Sequence, residues 1–116
     1  MNYKGYKEKY PDLYQLLAAY FFQSWASAFF WGKEEPNFEV AIRQYKTEDT
    51  DERVRKTTEQ LKSFLQTPIS NEEFDKVVDY FTGSGFSPIK TRRAFLERVL
   101  EILNEPRPKE PPLLRK

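Results

Sequence analysis

The side chains best able to do chemistry in this 116-residue chain are carboxylates. Between residues 33 and 52 stand Glu34, Glu35, Glu39, Glu48, Asp49, Asp51 and Glu52, seven acids against three bases. Residues 90–116 reverse the balance, with eight bases against four acids, and Lys90, Arg92 and Arg93 open that stretch. His and Cys are both absent. That removes Ser-His-Asp and Cys-His catalysis and the usual zinc sites together, because each needs an imidazole or a thiolate. A general base near neutral pH would have to be a strongly shifted Glu, Asp or Lys. The run Asp49-Thr50-Asp51-Glu52 lacks the spaced oxygens, the Gly and the distant Glu of a calcium loop. It reads as a helix N-terminus with acids matched to the dipole, or as a solvated acidic patch that meets a basic partner. The segment Thr82 to Phe86 contains glycines but fits no phosphate-binding pattern, and reads as a helix stop and turn. The bases at 90–93 oppose the dipole of the helix they open. They are expected to pair with neighbouring acids, or else to contact phosphate. No cofactor and no metal is expected.

The elements that position these groups follow from apolar spacing. Tyr10 to Trp25 carries Leu13, Leu16, Leu17, Tyr20 and Phe21 on one helical stripe, widened by Tyr14, Ala18, Phe22 and Trp25. A helix apolar over most of its circumference is buried, so others must wrap it. Pro11 suits its first turn, where a missing N–H costs nothing. Ala26 to Trp31 either extends this helix or makes a separate turn, and Gly32 breaks it. Pro36 is expected to open a second helix with Phe38, Ala41, Ile42 and Tyr45 inward, and Lys46 to Asp51 to be a polar connection. Asp49 or Thr50 caps a third helix, buried through Val54, Leu61, Phe64 and Leu65. Ser70 and Glu73 spell a capping box, with Ile69 and Phe74 as its hydrophobic staple. Phe74, Val77, Val78 and Phe81 follow inward, and Gly83 ends that helix. Gly85 to Pro88 is a turn, and Thr91 caps a last helix buried through Phe95, Leu96, Val99, Leu100, Ile102 and Leu103. Asp75 and Asp79, with Lys76, read as an exposed face.

The expected fold is therefore all-α, a single-domain bundle of about five helices around the aromatic-rich first one. Residues 1–10 form an N-terminal arm, 11–104 the helical domain, and 105–116 a Pro-rich charged tail, extended and partly mobile. Length allows one domain with a real core, and aromatics make up 16% of the chain, so large rings supply much of the buried area. The polar N-terminus lacks the apolar stretch of a signal peptide, and no apolar run approaches the ~20 residues of a membrane helix. A cytoplasmic protein with no membrane partner is expected. The net charge of +1 argues against a general nucleic-acid binder, though a small helical nucleic-acid-binding regulator using Lys90, Arg92 and Arg93 is the alternative.

One motif carries more than its helical period. Pro11, Leu13, Gln15, Leu16, Tyr20, Phe21, Gln23 and Trp25 stand in an order that resembles the first helix of the immunity proteins of bacterial contact-dependent growth inhibition systems. Phe22 and Ser24 depart from that pattern, standing where the family often has His and Asp. Leu65, Pro68, Ser70, Glu73 and Phe74 repeat a second, looser family pattern, and the Gly85-Phe86-Pro88 turn is a weaker echo. The resemblance spans about residues 10–104. It implies a cytoplasmic protein that binds and neutralises the toxic C-terminal domain of a partner protein, often a nuclease, and it carries no catalytic residues. The toxin-binding candidates are Glu34, Glu35, Glu39, Glu48, Asp49 and Asp51, because an acidic patch would meet a basic substrate groove. Trp31 and Phe38 are the candidate anchors among them, since hot spots favour large aromatics.

Overall fold

Pro11 takes the first position of the central helix, but the groups that close its start come from far away. The computed structural model describes residues 3–21, 25–33, 35–83 and 89–115. In it, α2 (Pro11–Phe21) has the backbone N–H groups of Asp12 and Leu13 donating to Gln60 Oε1, at 2.9 and 3.1 Å. The Gln60 amide returns a bond to the Asp12 carboxylate at 2.8 Å. A side chain of α4 (Asp51–Leu65) thus caps α2, satisfying donors that an isolated helix would leave to water.

Burial on α2 follows the predicted stripe: Leu13, Leu16, Leu17, Tyr20 and Phe21 are buried, whereas Tyr14 and Ala18 are half-buried. Gln15 and Ala19 face solvent. Phe22, Gln23 and Ser24 lie outside the described residues, as do the side chain of Trp25 and the turn at 85–88. The helix packs against α1 (Tyr3–Lys9), α3 (Phe38–Glu48), α4 and α5 (Asn71–Thr82), while α6 (Arg92–Leu103) packs on α3, α4 and α5. The fold is all-α, with six α-helices among the described residues rather than about five.

The added helix is α1, in the segment expected to be an arm. Seven residues are too few to hold a helix alone. Packing supplies the rest: the Tyr6 hydroxyl donates to Glu73 at 2.6 Å, the Tyr3 and Tyr80 rings lie 5.6 Å apart, and Lys7 Nζ sits 4.6 Å from the Tyr14 ring centre. The bond to Glu73 raises the Tyr6 phenol to about 12. It also shows half of the predicted capping box. Ser70 accepts from the Glu73 N–H at 3.1 Å, while the Glu73 carboxylate takes the Tyr6 hydroxyl.

The other caps are as local spacing predicts: Thr50 accepts from the Arg53 N–H, Thr91 accepts from the Ala94 N–H, and Gly83 ends α5 in the left-handed conformation with φ 75°. The start of α3 differs. Asn37, not Pro36, is its N-cap, accepting from the Glu39 N–H at 2.8 Å. The helix runs on through Glu48, taking in part of the expected polar connection, and Lys46 is buried within it.

Phe64 centres the core. Phe74 stacks on it with 4.8 Å between ring centres, Tyr10 meets it edge-on at 5.4 Å, and Phe81 lies 6.2 Å away. A second cluster joins α2, α3 and α6, with Phe95 edge-on to both Phe21 and Phe38 at 5.5 and 5.1 Å. Such edge-on pairs add roughly 0.5–1.5 kcal/mol beyond their burial.

Beyond α2 the chain makes a 3-10 turn, Trp25–Ala28, and a two-residue strand β1 (Phe29–Phe30). Gly32 follows at φ 63°, a conformation other residues seldom adopt. Past α6 the tail crosses back, and β2 (Leu114–Arg115) pairs antiparallel with β1, Phe29 opposite Arg115 and Phe30 opposite Leu114. The tail is tied to the helices at several points. Lys46 Nζ donates to the carbonyls of Ile102, at 2.7 Å, and Glu105. The Leu113 N–H donates to Gln44 Oε1 at 2.9 Å, and the Leu113 side chain is buried. No helix among the described residues is long and apolar enough to cross a membrane.

Candidate partner-binding surface

The acid-rich segment forms α3, its flanks and the start of α4, and nearly every described carboxylate in it has a partner within the chain. Glu39 accepts from Arg98 at 2.8 Å, and Arg43 lies 3.9 Å away. The Arg98 hydrogen bond holds the Glu39 carboxyl below its ordinary value, against the opposing pull of burial. Glu48 accepts from the Tyr20 hydroxyl and from the Gln44 amide. Asp49 lies 3.6 Å from Arg53, and Glu52 lies 3.6 Å from Lys56. Asp51 accepts from Arg107 of the tail, whose guanidinium also donates to the Asp49 and Thr47 carbonyls at 3.1 and 3.3 Å. Glu34 lies outside the described residues. Glu35 differs from the rest: it is exposed, and among the described residues no base or donor meets its carboxylate.

The two candidate anchors also part company. Phe38 is buried against Phe95 and offers little to a partner. Trp31 is half-buried, edge-on to Phe29 at 6.2 Å, with its indole N–H donating to the Ala26 carbonyl at 2.8 Å.

The bases at the start of α6 serve the fold. Arg92 donates to both Asp79 oxygens, at 2.8 and 3.2 Å, and lies 3.8 Å from Asp75. Asp75 and Asp79, read from sequence as an exposed face, thus hold α6 against α5. Arg93 donates to the Leu65 carbonyl at 3.0 Å and stacks over the Phe74 ring at 4.4 Å. The described residues contain no group of three or more acids that could hold a metal ion.

An open surface lies where β1, the start of α3 and the tail meet. A cleft of about 660 Å³ is lined there by Phe30, Trp31, Gly32, Glu35, Asn37, Val40 and Pro111–Leu114. Phe30 and Leu114, opposite one another across the strand pair, are 57% and 73% exposed. Strand alternation explains Phe30: its neighbour Phe29 points into the core, so Phe30 points out. Spacing alone put neither Phe30 nor the tail among the candidates. The available signals were two adjacent aromatics just before a Gly, and two adjacent leucines in an otherwise charged, Pro-rich tail.

The family model described as CdiI immunity protein matches residues 9–103. No curated protein and no solved structure matches the chain.

Proposed function

The chain belongs to the CdiI immunity protein family, and from that premise we propose that it acts in the cytoplasm by binding a cognate toxin domain and covering its active site. The family match over residues 9–103 carries this reading, since it takes in every helix except α1. The described surface suits docking. Its acids are held in place by Arg43, Arg53, Arg98 and Arg107, while Glu35 and Trp31 lie beside an apolar cleft.

The interface takes in the exposed side of Glu35, Glu39, Glu48, Asp49 and Asp51, together with Trp31. Phe38 supports it from inside. Against a nuclease, these acids would compete with phosphate for the basic substrate groove and speed encounter, although their pairs within the chain weaken the field.

Co-expression with the toxin domain encoded beside this chain tests the proposal. Growth is restored with that toxin and not with an unrelated one. Death in both cases removes the reading. Reversing Glu48 and Asp51 together slows association by about tenfold at low salt, whereas reversing Glu72 on α5 leaves it unchanged, as measured by stopped-flow mixing. Equal effects would take the acidic segment out of the interface.

A further inference from the structure

We infer that the cleft bounded by β1, the start of α3 and the tail is the anchor site for the toxin, and that it receives a segment presenting an apolar side chain next to a lysine or arginine. The inference rests on the immunity reading above and adds where, and by what chemistry, the partner is held.

Three observations converge on this cleft. First, Phe30 and Leu114 are two of the three large exposed hydrophobics among the described residues, and they face one another across the strand pair. Large apolar groups in a concave site are what an interface anchor needs. Second, among the described residues the lining carries one formal charge, that of Glu35. Glu39, Glu48, Asp49, Asp51 and Glu52 are each already bonded or paired within the chain, whereas among the described residues nothing meets Glu35. An unpaired carboxylate at the edge of an apolar cleft favours an occupant that brings a cation, because the pair forms without breaking one that exists. A second copy of this chain docking through the same patch would present the same lining, which among the described residues brings no cation to Glu35, and this disfavours it. Third, the family match covers β1 and α3 but not residues 111–114, so one wall lies within the matched span and the other beyond it. A partner-specific protein needs recognition surface that is its own, and this wall supplies it.

The test titrates the neighbouring toxin domain into the full chain and its variants by calorimetry, with the thermal midpoint of each free variant measured alongside. Phe30→Ser and Leu114→Asp are expected to weaken binding by at least about 30-fold while leaving the midpoint nearly unchanged. Glu35→Lys is expected to weaken it by about tenfold, and Glu35→Gln to flatten its dependence on salt. Tyr80→Ser, at the third exposed hydrophobic, should leave binding intact. If the wild type protects cells and binds, yet the Phe30 and Leu114 variants bind within twofold of it, the cleft is not the anchor and the immunity reading stands. If the wild type neither binds nor protects, both fall. A dimer of the free chain in sedimentation that Leu114→Asp dissolves would give the cleft to a second copy and overturn the inference.

Discussion

Phe30 and Phe38 stand eight residues apart, both aromatic, one just before the acid-rich segment and one within it, yet they do opposite things. Phe38 opens α3 and is buried against Phe95; Phe30 ends a two-residue strand and stands out in solvent. The carboxylates divide in the same way. Those along α3 and at the head of α4 are matched to arginines or other donors of the same chain, and Glu35 at the cleft is matched to none among the described residues. Density of charge or of rings along a sequence therefore says little about what a partner meets. What counts is which groups the fold has already used.

The largest expected effect breaks that contrast most directly. Phe38→Ala should cost about 3–5 kcal/mol in urea unfolding, as for a buried ring that leaves a cavity. Phe30→Ala should stay within about 0.5 kcal/mol, as for an exposed site. Similar losses for both would erase the distinction between core and cleft.

Next comes Lys46, buried on the inner side of the acid-rich helix. Its ammonium donates to the Ile102 and Glu105 carbonyls, favouring the charge that burial works against. Lys46→Met should cost about 1–3 kcal/mol through acceptors left without a donor, and should speed proteolysis of the tail. An unchanged cleavage rate would mean that the tail is held elsewhere.

Glu39 sharpens the comparison through pH. Its folded pKa lies below the unfolded one, chiefly through Arg98. The stability it contributes is present above the ordinary value of 4.5 and is lost as pH falls through the depressed folded pKa. Glu39→Gln should lower the unfolding midpoint at pH 7, and the gap to wild type should narrow progressively as pH falls below 4.5. A gap of constant size across the acid range would mean that the pairing contributes nothing through charge. Smallest of all is Asp51→Asn, at an exposed pair with Arg107, for which no resolvable change in midpoint is expected.

The parts of this architecture legible in the sequence are local ones. Thr50, Ser70, Gly83 and Thr91 cap their helices because a cap is decided within four residues. The stripe of α2 emerges for the same reason, from its period alone. What escaped depends on residues far apart. Gln60 closes α2 from 47 and 48 positions away. The helix α1 stands on Tyr6, Tyr3 and Lys7 reaching α5 and α2. Lys46 looked like the start of a linker because the carbonyls it serves come 56 and 59 residues later. The candidate surface was half visible: Glu35 and Trp31 line the cleft, while Phe30 and Leu114 became candidates only once the tail was seen to return to β1.

That return leaves the molecule with parts of unequal persistence. The helices bury Phe64 and Phe95 among themselves, whereas β2 adds only a two-residue pair with β1. The ribbon is therefore the part that frays first, and its amides should exchange with solvent well before those of the helices that carry the core.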